Sequence, residues 1–167
     1  GKNAAIVLAD ADFENAVNDT FTGAYMTTGQ RCNATSRILV EKKIAGKFLD
    51  AFLKKVDGMR IGYGADPGVF MGPMASKKGY DRALGSAAKA GREGFDGIRA
   101  AGPFPSPFDP AQGKSRRGYY LKPSVHRRTG APEGPVREGS YADEEALGPD
   151  TAIYVVKNLE EAVALNN

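Results

Sequence analysis

The sequence holds one cysteine, Cys32, and one histidine, His126. A lone thiol closes no internal disulfide, so the chain reads as a resident of the reducing cytoplasm. No apolar run reaches the length that spans a bilayer or forms the core of a secretion signal, and no membrane partner is expected. Phosphate cradles of the GxGxxG and GxxxxGK(S/T) kinds are missing, which leaves no local means of holding a dinucleotide pyrophosphate. Basic residues are mixed with acidic ones except at Lys42-Lys43, Arg116-Arg117 and Arg127-Arg128, and the net charge is only +3. A nucleic-acid partner would want a longer basic stripe interleaved with aromatic residues, so none is expected. The carboxylates show no metal-ligand spacing and Cys32 has no second ligand beside it, which excludes a zinc-type site. An initiator methionine is also lacking. The chain opens on Gly1-Lys2-Asn3 and is therefore read as a piece of a longer polypeptide, in which a targeting segment could lie upstream.

What is present suits a single soluble unit. At 167 residues, 41% hydrophobic and 26% charged, the chain is long enough to bury a core without staples. Ala4-Ala5-Ile6-Val7-Leu8 is a continuous apolar run that fits a strand buried on both faces. A helix follows: Asp10 or Asp12 caps it, and Phe13, Ala16, Val17, Phe21, Ala24 and Tyr25 line one face. The pattern fades at Thr27-Thr28-Gly29, where a loop carrying Gln30, Arg31 and Cys32 begins. Ser36-Arg37-Ile38-Leu39-Val40 predicts a second strand, and Ile44, Phe48, Ala51, Phe52 and Val56 a second helix.

Gly62 to Gly68 is dense in turn residues, and residues 76–91 predict a third helix ending near glycine. A short strand is expected at 98–101. Four prolines among residues 102–118 predict an exposed connection. Tyr119 to Val125 and Ala152 to Val156 read as further strands, and a last helix opens at Asn158. Strands alternating with helices predict an α/β fold with a mainly parallel sheet flanked by helices.

Cys32 is the residue with the most chemical reach. A cysteine ionises near pH 8.5, so only a small fraction is thiolate at neutrality unless positive charge or backbone N–H groups favour the anion. Arg31 and Arg37 are the nearest candidates to supply that charge. On position alone, Cys32 reads first as one more small buried hydrophobe. Gly29 and Gln30 read as residues that shape its loop, glycine because it tolerates backbone conformations that other residues resist.

Several motifs in order narrow these readings. Gly1-Lys2-Asn3 runs into AAIVLADADFENAV, then GQRCNATSR, and later ADEEALGPD stands before AIYVVK and NLEEAVALNN. This series resembles the aldehyde dehydrogenase superfamily, in which a Gly-Gly-Lys segment leads to a strand, a helix and a Gly-Gln-x-Cys nucleophile loop, with Glu-Glu-Ile-Phe-Gly-Pro downstream. ADPGVFMGPM and GYYLKPSV also fit family segments, and the match is weakest over 95–117 and 126–141. The resemblance implies that residues 1–167 are part of the family's catalytic domain, incomplete at the C-terminus and without the nucleotide-binding domain.

The resemblance further implies that Cys32 attacks an aldehyde to give a thiohemiacetal, whose oxyanion is met by the Cys32 N–H and by an asparagine from outside this chain. Hydride then passes to NAD or NADP, and a glutamate lying upstream of Gly1 activates the water that hydrolyses the thioester. Glu145 would accept from the nicotinamide ribose hydroxyls, and Leu147 would stand where the family places phenylalanine against the nicotinamide. The chain alone would be idle, and the full-length protein would be a homo-oligomer.

FMGPM and GQRC lean toward enzymes acting on semialdehydes such as succinylglutamate semialdehyde. A CoA-acylating relative and a non-catalytic structural or oligomerisation fragment are the alternatives. Without the resemblance, Glu144 and Glu145 read as a solvated acidic turn, Lys2 as a surface lysine and His126 as a surface histidine.

Overall fold

A computed structural model describes residues 2–109, 114–115, 117–129 and 139–166. The first unit is β1 (Ala4–Val7), α1 (Phe13–Tyr25), β2 (Arg37–Glu41) and α2 (Lys42–Asp57). Asp12 caps α1, its Oδ1 accepting from Asn15 N at 3.1 Å, and Val17, Phe21, Ala24 and Tyr25 form the buried stripe. In α2 the buried residues are Ala45, Phe48, Phe52 and Val56, while Lys54 and Lys55 sit in the last turn, where cations complement the helix dipole.

Next come α3 (Lys77–Arg92), β3 (Asp96–Arg99), β4 (Gly102–Pro103), β5 (Phe108–Asp109), β6 (Lys114–Ser115), β7 (Leu121–Lys122), β8 (Ser124–Thr129), β9 (Asp150–Val156) and α4 (Leu159–Asn166). Ser76 Oγ caps α3 by accepting from Gly79 N at 3.1 Å. The helix ends as Gly94 turns left-handed at φ 79° and Phe95 N donates back to Ala90 O.

The main sheet runs β1-β2-β9-β8-β3, parallel throughout except for the antiparallel edge pair β3–β8. Its two faces carry different helices. Ile38, Val40 and Ile153 pack with the residues of α1 and α2, whereas Leu39, Ala152, Tyr154 and Val156 pack with Ala90, Phe95, Tyr141 and Ala162. Successive strand residues point to opposite faces, and both faces are covered, which is why these strands are apolar without alternation.

Register decides where the loops meet. Arg37 pairs with both Ala4 and Ala152, and Ser124 pairs with Asp150, so residues 2–3, 29–36, 123–124 and 145–151 converge on the amino-terminal edge of the sheet.

The structure departs from the sequence reading in the second half. The run from Tyr119 to Val125 is two strands, broken at Pro123, whose nitrogen cannot donate to a ladder. β7 pairs with β4 in a separate two-stranded sheet, and only β8 joins the main sheet and continues to Thr129. The expected connection over 102–118 thus includes short strands, β4 pairing with β7 beyond it and β5 pairing with β6 within it. The strand expected at 98–101 lies at 96–99.

Phe48 is fully buried and stacks on Phe52 with ring centroids 5.9 Å apart. Phe48→Ala is expected to cost about 3–5 kcal/mol, read as a lowered midpoint in urea denaturation.

Candidate active site

The thiol loop begins where α1 is stopped by Met26, whose ψ of 137° is no longer helical. Thr27, Thr28 and Gly29 then adopt left-handed φ values of 57°, 60° and 65° in succession. For a β-branched residue that conformation costs on the order of 1–3 kcal/mol, so the surroundings must hold it in place. Thr28 is buried and its Oγ1 donates to Gly72 O at 3.0 Å. Gln30 N donates to Thr27 O at 3.1 Å, and Gln30 Oε1 accepts from Ala75 N at 2.9 Å. Gly29 makes a close backbone approach: a Cβ there would lie 2.2 Å from Gly148 O.

Cys32 follows in a turn and is exposed, which removes the reading of it as a small buried hydrophobe. Its carbonyl accepts from Asn3 Nδ2, and Thr35 N donates to Gly23 O at 3.0 Å. The two arginines expected to supply charge are engaged with carbonyls instead. Arg31 Nη2 donates to Gly23 O at 3.0 Å. Arg37 donates to Lys2 O at 2.9 Å and to Leu165 O at 3.0 Å, and so ties α4 to the sheet edge.

Opposite this loop stands the segment leading into β9. Glu144 is exposed and pairs with Lys89, as an acidic turn would, while Glu145 and Leu147 are half-buried. Leu147 is left-handed at φ 44°, and Arg82 Nε holds the neighbouring Ala146 carbonyl at 3.0 Å. Glu145, Ala146, Leu147, Gly148 and Asp150 form one wall of a cleft whose other wall includes Gly29, Arg31 and Ala34. The fold thus brings Gly29, Arg31 and Ala34 of the Cys32 loop to the same cleft as Glu145 and Leu147, while Cys32 itself is not among the residues lining it and the Gln30 side chain turns away to Ala75.

Lys2 is not a simple surface lysine. Its Nζ donates to Glu144 O at 2.9 Å and lies 4.2 Å from the centre of the Tyr141 ring. Burial is the main reason its pKa falls below the usual lysine range, partly offset by the charge of Asp150.

The sequence reading also missed a buried polar cluster. His126 is 4% exposed and not a surface residue, because β8 runs between β9 and β3 and turns the ring inward. Its Nε2 faces Asp150 Oδ1 at 2.9 Å, and Ser124 Oγ donates to the same oxygen at 2.5 Å. Burial opposes ionisation of Asp150, but hydrogen bonding and charge from His126, then Ser124 and Lys2, outweigh it and hold the carboxyl below its usual range. The available signal was Ser124 and His126 two residues apart on one strand face, with an aspartate opening the apolar run of β9.

Known proteins resemble this chain over its whole length. The profile of the aldehyde dehydrogenase family matches residues 1–167. The chain belongs to that family. It is 34% identical over its whole length to the alpha-ketoglutaric semialdehyde dehydrogenase of Bacillus subtilis (strain 168), covering 32% of that protein. It is 31% identical to the chloroplastic betaine aldehyde dehydrogenase of Atriplex hortensis, covering 30% of it. Among solved structures, HpcC from Thermus thermophilus superposes on the entire chain with a TM-score of 0.82 at 31% identity, 31% of that chain being covered. Betaine aldehyde dehydrogenase from Staphylococcus aureus, solved in complex with NAD+, gives 0.81 at 30% identity, again with 31% covered. The chain spans about a third of the length of these family members.

Gly29→Ala is expected to lose more than about 1 kcal/mol, because a Cβ there combines positive φ with collision against backbone, and to change the accessibility of Cys32 to thiol reagents. For Asp150 the folded pKa is depressed, so its contribution to stability is present above the ordinary value of about 3.9 and is lost as pH falls through the lower folded value. In urea denaturation across an acid pH series, the stability gap between the parent chain and Asp150→Asn is therefore expected to shrink toward low pH.

Proposed function

We propose that this chain carries the nucleophile half of an NAD(P)-dependent aldehyde dehydrogenase acting on a semialdehyde, with Cys32 as the attacking thiol. The observation that carries the reading is an exposed free cysteine on a strained, braced loop that shares a cleft with Glu145 and Leu147, in a chain of this family. Strained backbone that its surroundings over-determine concentrates at functional sites. Relatives named alpha-ketoglutaric semialdehyde dehydrogenase and malonate-semialdehyde dehydrogenase support the substrate class.

In this reading the Cys32 thiolate adds to the aldehyde carbon, and the Cys32 N–H is one donor to the oxyanion that forms. Thr28, Gln30 and Gly29 keep the thiol in place through their bonds to Gly72 and Ala75 and the packing against Gly148. A nicotinamide dinucleotide, when bound, supplies the hydride acceptor. The residues present suit its nicotinamide end: Glu145 offers a half-buried carboxylate for paired ribose hydroxyls, and Leu147 offers an apolar side chain on the same wall. With no phosphate cradle in the sequence, the dinucleotide's remaining grip would come from a nucleotide-binding domain outside residues 1–167. The 167 residues are then part of a catalytic domain and turn over no aldehyde alone. The complete enzyme is a cytoplasmic homo-oligomer.

Two measurements test this. Folded chain should be alkylated at Cys32 by iodoacetamide, and complete protection would count against a nucleophile. The polypeptide extended through its upstream region should reduce NAD+ or NADP+ with a semialdehyde in a panel of aldehydes, and Cys32→Ser should lower kcat at least about a thousandfold. An extended protein inactive toward the whole panel would sink the reading, and turnover by residues 1–167 alone would overturn the claim that the site is shared.

A further inference from the structure

Asp150 has no part in the thiol chemistry, yet it stands two residues from the carbonyl that packs against the Cys32 loop. Its Oδ1 takes the Ser124 hydroxyl and faces His126 Nε2, while Oδ2 lies 3.4 Å from Ser86 Oγ. An ionised carboxylate only accepts, so Nε2 carries the proton in this contact. The other ring nitrogen, Nδ1, is buried and meets no hydrogen-bond partner among the described residues. The His126 ring lies edge-on to the Tyr141 ring, with centroids 5.4 Å apart.

Backbone hydrogen bonds connect Asp150 to the thiol loop. Asp150 N donates to Gly148 O at 2.8 Å, and that same carbonyl is the atom pressed against Gly29. Ser124 N donates to Pro149 O at 2.8 Å, Thr151 Oγ1 to Thr35 O at 3.2 Å, and Ala152 N to Ser36 O at 3.0 Å. The titratable groups around Asp150 are His126 on β8, Lys2 ahead of β1, Tyr25 on α1 and Tyr141 in the segment before β9, with the hydroxyls of Ser124 and Ser86.

We propose that Asp150 is a positioning residue: clamped by Ser124 and His126, it sets the Gly148 carbonyl beneath Gly29 and so holds the Cys32 loop. As positioning of a thiol site this rests on Cys32 being the nucleophile, but the linkage is measurable without catalysis.

Asp150→Asn keeps the shape and removes the charge, and is expected to move the amide signals of Gly29, Gln30 and Cys32 in two-dimensional NMR spectra of the chain and to change the rate of iodoacetamide alkylation at Cys32 at least about twofold. His126→Ala removes one arm of the clamp and should move the same signals, which preserves the test if Asp150→Asn does not fold. His126→Gln keeps a donor toward Asp150 and should leave them close to their parent positions, a rescue that a merely space-filling role would not give. Loop amides that stay still in both Asp150→Asn and His126→Ala, or that move as far in His126→Gln as in His126→Ala, overturn the proposal. Loop amides that move as expected around a Cys32 that iodoacetamide does not reach would defeat the nucleophile reading and leave the linkage standing.

Discussion

The parallel pairing of β2 with β9, Arg37 opposite Ala152, joins segments whose neighbours Thr35 and Thr151 are 116 residues apart in sequence. Closing so long a loop is entropically costly, and the return is burial of Ile38, Leu39, Val40, Ile153 and Tyr154 on both faces at once. That register also fixes which loops face each other. A one-residue slip would exchange the two faces of β9 and carry Gly148 away from Gly29.

The site built on that edge trades local comfort for position. Thr27, Thr28 and Leu147 all hold left-handed backbone, and each lies within a residue or so of a hydrogen bond or packing contact that keeps it there. Such strain survives because the sheet and α3 beneath it are already well packed. Gly148 shows the same economy of space, since a Cβ there would lie 2.6 Å from that of Ala83 on α3. The cleft is therefore defined by close backbone approach from two directions.

Polar groups buried under the edge are organised around one carboxylate. Asp150 gathers Ser124, His126 and Ser86, while Tyr25 donates to the Ser124 carbonyl at 3.0 Å and Lys2 reaches over Tyr141. A buried charge of this kind needs its partners to be tolerated, so the cluster ties α1, α3, β8 and the chain start into one arrangement. Its specificity lies in that demand.

The amino-acid sequence by itself determined the alternation of strands and helices, the opening of α1 at Asp10 or Asp12 and of α3 near Ser76, and the motif series that marks the family, because these rest on local periodicity, capping and short-range pattern. It also singled out Cys32 and the segment around Glu145. Only the tertiary structure decided that Arg31 and Arg37 serve carbonyls, that Lys2 and His126 are drawn inward, that Pro123 divides a run into strands of two sheets, and that Gly29 lies against Gly148. Those outcomes depend on long-range register, which sets the partner a side chain meets and which no local pattern encodes.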